Sequence, residues 1–521
     1  MVARTPAAVS RLWDVLPLVS EDPRIQVTFA VDHGSVFSPA VDTRLREAGA
    51  LILPWTDAVH VPFDLAVAAS DNGGLHQLRA PLLLLPHGAG YHRYSAAEPG
   101  AISGVRRSTL IHDGSPVPHT LVVAHPGQVE RVRQVDSTLA DRTLVAGDPC
   151  LDRITASRPQ RRRYRRAFAA ESRVLVVLCS TWGPQSLFGR LPDLPRRVTA
   201  ALPVDEYRVA LVLHPNVWQH HGSLQVRSWL RTAVDAGLAV IPPEEGWRAA
   251  LVAADLVISD HGSLTCYAVA ASTPTLIAAD GGPEVVPDSP LRLLLQRLPA
   301  LRHGEPFDEQ VDAAVARGAV ARDVVDGMFA EQGAAAKALR ERMYRILELA
   351  EPPWRAPTYA VPVPAPAIPR PEALQVAVRT AVHQADRLVL TLERRPATWE
   401  DWPEADHLTV CEAILEPGLL ERASVIWNDD TYDTAESAQQ WARTVLRAYP
   451  GARVAITGTT EGTLIASIRG AGYVTAQGIS PRCVAGSAIY RWSLLPGKVK
   501  PTTIQVGTRT LRLEHFAPQH G

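Results

Sequence analysis

Five short polar or glycine-rich segments in the first half of the chain constrain its fold more than any other feature. Four of them directly follow an apolar, β-branched run, which is the pattern of a buried parallel strand. In an open parallel sheet, ligands bind in the crevice outside the carboxyl ends of the strands. We therefore expect the segments to line one cleft. They are LPHGAGYHRY (85–94), VAGDPCLDRI (145–154), LCSTWGP (178–184), LVLHPNVW (211–218) and ISDHGSLTCYAVAASTPTLI (258–277).

Strand-like and helix-like segments alternate along residues 1–150 and again along residues 151–350. Such alternation is typical of βαβ units with a parallel sheet. Between the two series, at about 150–172, no strong strand pattern occurs, and we place a hinge there. An apolar helical stripe within 330–350 is predicted to close the second unit. The sequence thus predicts an α/β fold with two Rossmann-like units in tandem.

A proline-dense stretch, residues 351–373, is the clearest boundary in the chain. Its composition predicts an extended, semi-rigid spacer between domains. Beyond it, residues 374–521 show strand-like runs and helical patterns of a third, smaller α/β or α+β unit with no role that its sequence indicates. A chain of 521 residues is long enough for about three domains.

The composition gives no indication of nucleic-acid binding, a metal site or a membrane-spanning segment. A net charge of -1 gives no reason to expect nucleic-acid binding. The five cysteines form no CxxC, and the acidic WNDDTYD (427–433) fits a polar loop as well as a metal site, so we predict no metal and no cofactor. The N-terminus lacks the pattern of a signal peptide, and no run of 18 apolar residues occurs. These features predict a cytoplasmic protein, with the inner face of the membrane as a candidate contact.

Two histidines are the candidate catalytic residues. His87 follows the apolar run PLLLLP and precedes Gly88, at a predicted strand end. A histidine near neutrality there can take a proton from an acceptor hydroxyl, although a loop histidine that caps the strand explains it as well. His214 ends the run YRVALVLH before Pro215 and could donate to a phosphate. Its alternative role is that of an exposed turn histidine.

The segment after the strand DLVIS is the best candidate for anion binding. A helix begins at once after Ser-Asp-His-Gly, with two hydroxyl residues in its first turn, and helix N-termini bind phosphates. A serine that merely caps the helix gives the same pattern. STWGPQS (180–186) supplies further hydroxyls and an indole that could stack on a base or lie in the core. The predicted donor-binding residues are Gly88, Ser180, Thr181, Trp182, Asp260, Ser263 and Thr265.

An arginine-rich segment, RPQRRRYRRAF (158–168), concentrates six arginines on one predicted helix. It could hold an anionic lipid surface or an acidic polymer near the cleft, and we take Arg162 and Arg163 as its representatives. A solvated helix face explains the same pattern. No GxxxxGK[ST] occurs, and GAGYHR is not a dinucleotide fingerprint, so neither phosphate loop is predicted.

The order HG, G-x-P-x-x-D, x-T-W, HP and SD-x-x-S over residues 80–280 resembles the CDP-glycerol glycerophosphotransferase family, which builds teichoic-acid-type polymers. The resemblance implies a GT-B fold, with two Rossmann-like domains facing a cleft. It implies His87 as the base on the acceptor hydroxyl, and His214, Ser263 and Thr265 around the donor phosphates. His92 and Arg93 stand at the family's lysine pair, on the acceptor side. Other family positions are replaced by Ala89, Cys150, Gly183, His261 and Gly262.

These departures remove cationic and hydroxyl groups near the predicted phosphate site and leave three functions open. The first is a transferase that moves a glycosyl or polyol-phosphate group from a nucleotide-activated donor to a hydroxyl acceptor, which can be lipid-linked, in the synthesis of envelope polymers or glycoconjugates. The glycine in SDHGS also resembles UDP-N-acetylglucosamine 2-epimerases, another GT-B group. The third function is a non-catalytic scaffold on a degenerate GT-B fold.

Overall fold

The protein is described by a computed structural model that covers residues 1–34, 38–384, 387–398, 401–478, 481–495 and 500–519. The strands of the first unit are β1 (Val2–Ala3), β2 (Phe29–Val31), β3 (Ile52–Pro54), β4 (Ala66–Ala68), β5 (Leu82–Leu84), β6 (Ile111–His112), β7 (Ser115–Pro116), β8 (Thr120–Val123) and β9 (Thr143–Val145). Its helices are α1 (Pro6–Val15), α2 (Pro17–Ser20), α3 (Ser38–Glu47), α4 (Trp55–Ala58), α5 (Arg107–Leu110), α6 (Pro126–Val135) and α7 (Ser137–Ala140).

Seven strands of this unit form a parallel sheet in the order β3-β2-β1-β4-β5-β8-β9, and β6 pairs with β7 in a separate hairpin. The strands at the centre of the sheet, β1, β4, β5 and β8, are two to four residues long and mainly apolar. Their side chains enter a core on each face of the sheet, as expected for strands that are covered on both sides. The order reverses between β1 and β4, which is where a doubly wound sheet opens a crevice.

The second unit repeats this plan. Its helices and strands are α8 (Pro149–Ala156), α9 (Arg161–Ala167), β10 (Val174–Ser180), α10 (Leu187–Arg190), α11 (Leu194–Ala201), β11 (Tyr207–Leu213), α12 (Pro215–His221), α13 (Ser223–Asp235), β12 (Ala239–Val240), α14 (Trp247–Ala253), β13 (Leu256–Ser259), α15 (Ser263–Ala270), β14 (Thr275–Ile277), α16 (Pro290–Arg297), α17 (Phe307–Arg317), α18 (Arg322–Asp326) and α19 (Ala335–Ile346). The parallel sheet has the order β12-β11-β10-β13-β14, with its crevice between β10 and β13.

The helix predicted to close the second unit packs elsewhere. The buried residues of α19, among them Leu339, Met343 and Tyr344, belong to the core under the first sheet, together with Leu12 and Leu45. The chain therefore crosses back from the second unit to the first before the linker begins. The 3.6-residue periodicity of this helix was predicted correctly, but an amphipathic pattern does not say which sheet the apolar face covers.

The proline-rich linker, residues 351–372, forms no helix or strand, and it contacts the second unit. The Tyr164 hydroxyl donates to the Val361 carbonyl at 2.7 Å, and the Val361 N–H donates to the Ser157 hydroxyl at 2.9 Å. The Val361 side chain joins the core of the second unit. Because prolines keep the linker out of strands and helices, its backbone groups need other partners. At Val361, side chains of the second unit supply them.

The third unit is a mixed sheet with helices on both faces. Its elements are β15 (Ala373–Gln384), β16 (Arg387–Pro396), β17 (His407–Cys411), α20 (Pro417–Arg422), β18 (Val425–Tyr432), α21 (Ala435–Ala448), β19 (Val454–Thr459), β20 (Leu464–Ile468), β21 (Gly472–Gln477), α22 (Arg482–Leu494), β22 (Lys500–Val506), β23 (Arg509–Arg512) and β24 (Glu514–Gln519). The order is β23-β22-β16-β15-β17-β18-β19-β20-β21-β24. Helix α22 covers one face, and α20 and α21 cover the other.

A buried ion pair fixes the third unit to the second. Asp205, just before β11, accepts hydrogen bonds from Arg394 at 2.7 and 2.8 Å and from Arg509 at 2.9 Å. The Val204 N–H also donates to the Arg394 carbonyl at 2.9 Å. The predicted class is confirmed: two Rossmann-like units in a GT-B-like pair, followed by a smaller α/β unit.

Candidate functional site

Loops at the carboxyl edges of the two parallel sheets contact each other at a cleft. Segment 145–154, which was expected to line the same cleft, lies instead in the buried contact between the units, where Asp148 pairs with Arg11. The loop after β5 touches the start of α15, because the Ala89 N–H donates to the Ser263 hydroxyl at 3.1 Å. The backbone at Gly88 lies close to the start of α15, because a Cβ on Gly88 would be 2.6 Å from the Ser263 hydroxyl oxygen. A glycine after His87 is therefore what lets the loop of the first unit reach the helix of the second.

The first turn of α15 faces this loop without a side-chain cap. The N-cap residue is Gly262, which has no side chain to satisfy the first N–H groups, and Ser263 is the first helical residue. The alternative that Ser263 caps the helix is therefore wrong. The Thr265 N–H donates to the Gly262 carbonyl at 3.1 Å, and the positive end of the helix dipole favours an anion at this position. The serine hydroxyl adds a further polar group.

His214 is held as a neutral donor. It is the N-cap of α12, and its Nδ1 accepts the Asn216 N–H at 3.1 Å. The ring proton of the neutral form is therefore on Nε2. Burial, with smaller effects of Arg93 and His87, lowers the pKa of His214 to about 3. The ring thus stays uncharged near pH 7 and can donate one hydrogen bond from Nε2.

His87 keeps an exposed side chain, and protein groups surround it at the mouth of the cleft. The surrounding protein groups displace water from around the imidazole, and this desolvation lowers the pKa of His87 below the usual value. Asp71 opposes the effect, and the charges of Arg11 and Arg93 add to it. Its imidazole is therefore neutral near pH 7 and open to solvent. A neutral, accessible imidazole can accept a proton from a bound hydroxyl.

Arg93 connects the two units across the cleft. Its guanidinium donates to the Glu284 carboxylate at 2.6 Å and to the Thr181 hydroxyl at 3.2 Å. Arg93 also pairs with Val285 in an isolated antiparallel bridge, and the Tyr94 N–H donates to the Glu284 carbonyl at 2.9 Å. Arg93 and Thr181 were both predicted site residues, and the structure brings them into contact. A cationic group consequently lies beside the uncapped helix.

Glu284 and His261 complete this side of the cleft and were not predicted as site residues. The His261 Nε2–H donates to the Glu284 carboxylate at 3.1 Å. His261 is fully buried beneath Gly281, where a Cβ would lie 2.3 Å from the imidazole, and burial lowers the pKa of this histidine. The two glycines after β14 were the available signal in the sequence, since they mark a close backbone approach.

Three predicted donor-binding residues direct their polar atoms into the protein. The Asp260 carboxylate accepts the N–H groups of Thr181 at 2.9 Å, Leu187 at 2.8 Å and Gly262 at 2.9 Å, and burial raises its pKa despite these bonds. Ser180 accepts the Phe188 N–H at 2.9 Å, and the buried Thr265 hydroxyl donates to Ser259 at 2.8 Å. These side chains shape the loops around the crevice between β10 and β13.

Of the remaining predicted site residues, Trp182 is exposed and His92 is buried. Trp182 is 37% exposed, so the alternative that it lies in the core is wrong. His92 is buried behind the loop, where its Nε2–H donates to the Ala89 carbonyl at 3.0 Å, and burial lowers its pKa to about 4. It stabilises the loop from within rather than facing the acceptor side.

The arginine-rich helix α9 lies away from this edge. Arg161 donates to the Val252 and Ala254 carbonyls, which precede β13, whereas the cleft residues follow the carboxyl end of that strand. Arg162 and Arg163 are exposed on α9. The expectation that this segment lies near the cleft is thus corrected. A contact of these two arginines with a lipid surface stays a prediction.

No metal centre emerges from the described residues: they contain no group of three or more His, Cys, Asp or Glu side chains placed to hold a metal ion. None of the described helices is both long and apolar enough to cross a membrane. What the cleft offers is an uncapped helix N-terminus, an arginine, hydroxyls and neutral histidines.

Comparisons with known proteins place this architecture beside several enzymes. No family model and no curated protein matches the chain. Among solved structures, a wall teichoic acid polymerase, TagF, is similar at 11% identity and a TM-score of 0.46, over 67% of this chain and 88% of that one. A UDP-GlcNAc 2-epimerase from Neisseria meningitidis bound to UDP-GlcNAc is similar at 13% identity and a TM-score of 0.42, over 66% and 98% of the two chains. S. aureus MnaA with UDP follows at 11% identity and 0.41, over 67% and 96%.

Proposed function

We propose that this protein is a transferase that moves a glycosyl or polyol-phosphate group from a nucleotide-activated donor to a hydroxyl acceptor. The observation that carries the proposal is the contact between the His87 loop of the first unit and the uncapped start of α15 in the second. Gly88 and Ala89, the two residues after His87, lie against the Ser263 hydroxyl, which supports a site where His87 acts on the acceptor and the start of α15 binds the donor phosphate. An acceptor hydroxyl and a donor phosphate need these two groups in one cleft.

The chemistry assigns a role to each group. The acceptor oxygen attacks the sugar carbon or the phosphorus of the donor, and His87 takes the hydroxyl proton as the new bond forms. The bond to the nucleotide breaks at the same centre, so that a nucleoside diphosphate leaves in glycosyl transfer and a nucleoside monophosphate in polyol-phosphate transfer. The start of α15 and the His214 Nε2–H stabilise the negative charge that develops on the leaving phosphate.

Donor binding is the first step to test. A melting screen of the full chain with CDP, UDP, GDP and TDP and with their glycerol, ribitol and sugar conjugates should give a shift specific to one nucleotide. A ligand at 100 times its Kd stabilises the folded state by about 2.7 kcal/mol, which moves the melting midpoint by several degrees. Without any shift, the transferase proposal fails.

The role of His87 is tested with the donor so identified. His87→Gln should lower kcat about 10²- to 10⁴-fold and leave the nucleotide-induced melting shift intact, because the imidazole acts on the acceptor. The matched control is His220→Gln, at an exposed histidine of α12 in the second unit. An unchanged kcat in His87→Gln would remove the proposed base.

A non-catalytic binding protein is the second candidate, and the Arg93 contacts favour it. The guanidinium is already engaged by Glu284 and Thr181, both in the second unit. Nucleotide binding without release of a nucleoside mono- or diphosphate, with every acceptor tried, would support this candidate. The epimerase alternative predicts a change in the sugar of a UDP-sugar with no acceptor present.

A further inference from the structure

A separate cavity of about 690 Å³ opens in the third unit, between α21 and the hairpin of β20 and β21. Its lining residues all belong to this unit: Gln440, Arg443, Leu446, Arg447, Ser467, Ile468, Arg469, Gly470, Gly472 and Tyr473. Its volume lies within the ~300–1,000 Å³ of small-molecule sites. The cavity shares no residue with the cleft, so its contents can be tested independently.

Three arginines give this cavity a positive charge. Arg443 and Arg447 are exposed on consecutive turns of α21. Arg443 donates to the Gln439 side chain at 3.3 Å, and Arg447 donates to the Arg443 carbonyl at 3.3 Å. Arg469 donates to the carbonyls of Leu446, Tyr449 and Ala452. Within the described ranges, no carboxylate lies at ion-pair distance from any of the three guanidiniums. This contrasts with Arg394, whose charge Asp205 balances.

The sheet side of the cavity adds polar and aromatic groups. Ser467 and Tyr473 lie opposite each other on β20 and β21. Their neighbours Ala466 and Val474 point to the other face, into the core under α22. Alternation along the strands therefore directs the serine hydroxyl and the tyrosine ring towards α21. At the hairpin, Gly470 has a φ of 74°, a left-handed conformation that brings the backbone around the rim without a side chain.

We propose that this cavity binds successive phosphate groups of the acceptor, a polyol-phosphate chain. Guanidinium groups bind phosphate through paired N–H donors, and Arg443 and Arg447 are one helical turn apart. Two such groups along α21 suit a ligand with repeated charges better than a single anion. The Tyr473 ring offers an apolar surface to the polyol carbons. The inference rests on the proposed function for its choice of ligand. Binding here would tether the chain and raise the local concentration of its terminal hydroxyl at the cleft.

Calorimetric titration of the full chain with a synthetic oligomer of glycerol phosphate tests the proposal. Arg443→Gln/Arg447→Gln should weaken binding at least tenfold. The control Arg422→Gln/Arg512→Gln removes the same charge from exposed positions outside the cavity and should change binding less than twofold. Arg443→Lys/Arg447→Lys should give an intermediate affinity, since it keeps the charge and loses the paired donors. Melting midpoints of all variants confirm that they fold.

Inorganic pyrophosphate and vesicles of phosphatidylglycerol identify the source of the phosphate. Equal oligomer binding by wild type and the Arg443→Gln/Arg447→Gln variant overturns the proposal. It is also overturned if only vesicles or only pyrophosphate bind in an arginine-dependent way. The melting screen with nucleotides separates the two proposals. A nucleotide shift without oligomer binding leaves the transferase and removes the tether, whereas arginine-dependent oligomer binding without a nucleotide shift does the reverse.

Discussion

Two of the regions where the first and second units meet differ in character. At the cleft, they touch through single hydrogen bonds and the Arg93–Glu284 pair, whose side chains are 29% and 25% exposed. Behind the cleft, Arg248 of α14 donates to Asp14 of α1 at 2.8 and 3.0 Å, with side chains 1% and 0% exposed. Both regions join the same two units, but only the second is sealed from water.

The buried region is a network rather than a pair. Asp14 also accepts a hydrogen bond from Arg153 at 2.7 Å. Arg11, on the same helix, pairs with Asp148 at 3.2 Å, and the Tyr267 hydroxyl donates to that carboxylate at 2.8 Å. Charges in such a place are costly unless every partner is present. The comparison indicates that the network sets the relative position of the units, whereas the loosely joined cleft is left free to admit a ligand.

Breaking the network should have the largest effect on stability. Arg248→Leu leaves the buried Asp14 carboxylate short of its principal partner, which should lower the free energy of unfolding by about 3–5 kcal/mol. Urea unfolding measures the loss. The control Arg231→Leu removes an exposed i,i+4 pair with Asp235 and should cost less than about 0.5 kcal/mol. A loss below about 1 kcal/mol for Arg248→Leu would show that the network does not fix the units.

The two regions also differ in how far the sequence predicted them. His87 and His214 each follow an apolar strand, so local pattern predicted their place at the carboxyl edges. Arg248 and Asp14 are 234 positions apart on two helices, and no local pattern pairs them. The same reason explains the missed Glu284 and the wrong prediction that α19 closes the second unit. Local periodicity gives elements and strand ends, whereas contacts between distant elements depend on tertiary packing.

Acid should weaken the cleft side through its buried histidines. With the pKa of His92 at about 4 in the folded protein, against about 6.5 when unfolded, only the unfolded chain binds this proton between those pH values. Stability is therefore complete above pH 6.5 and falls as the pH is lowered towards 4. His92→Gln, which keeps a donor for Ala89, should reduce this acid loss by up to about 2–3 kcal/mol at pH 4.5.

Unfolding free energies of wild type and His92→Gln at pH 7.5, 5.5 and 4.5 measure this difference. The difference between the two free energies should change from pH 7.5 to pH 5.5 and change further at pH 4.5. Parallel curves throughout would mean that His92 titrates normally and that its surroundings are as open to water as the cleft.

A smaller effect is expected where the loop approaches α15. Gly88→Ala places a Cβ within 2.6 Å of the Ser263 hydroxyl, so that the serine must rotate and release the Ala89 N–H. We expect a loss of about 1–2 kcal/mol in unfolding free energy. The loss should shrink in a Ser263→Ala background, because the added Cβ lies 3.7 Å from the Ser263 Cβ, an ordinary contact. A double-mutant cycle measures this coupling, and additive losses would contradict the close approach.

The half-buried Arg93–Glu284 pair across the cleft should contribute least. Glu284→Gln removes the charge opposite Arg93 and His261, and at this exposure the loss of stability should stay below about 1 kcal/mol. Ligand binding should respond in the opposite direction, since the freed Arg93 guanidinium becomes available to an anion at the start of α15. We expect the nucleotide-induced melting shift to grow in Glu284→Gln and to vanish in Arg93→Gln. A smaller nucleotide-induced melting shift in Glu284→Gln than in wild type would mean that the carboxylate itself contacts the ligand. The Arg93–Glu284 pair would then take part in ligand recognition instead of only joining the two units weakly.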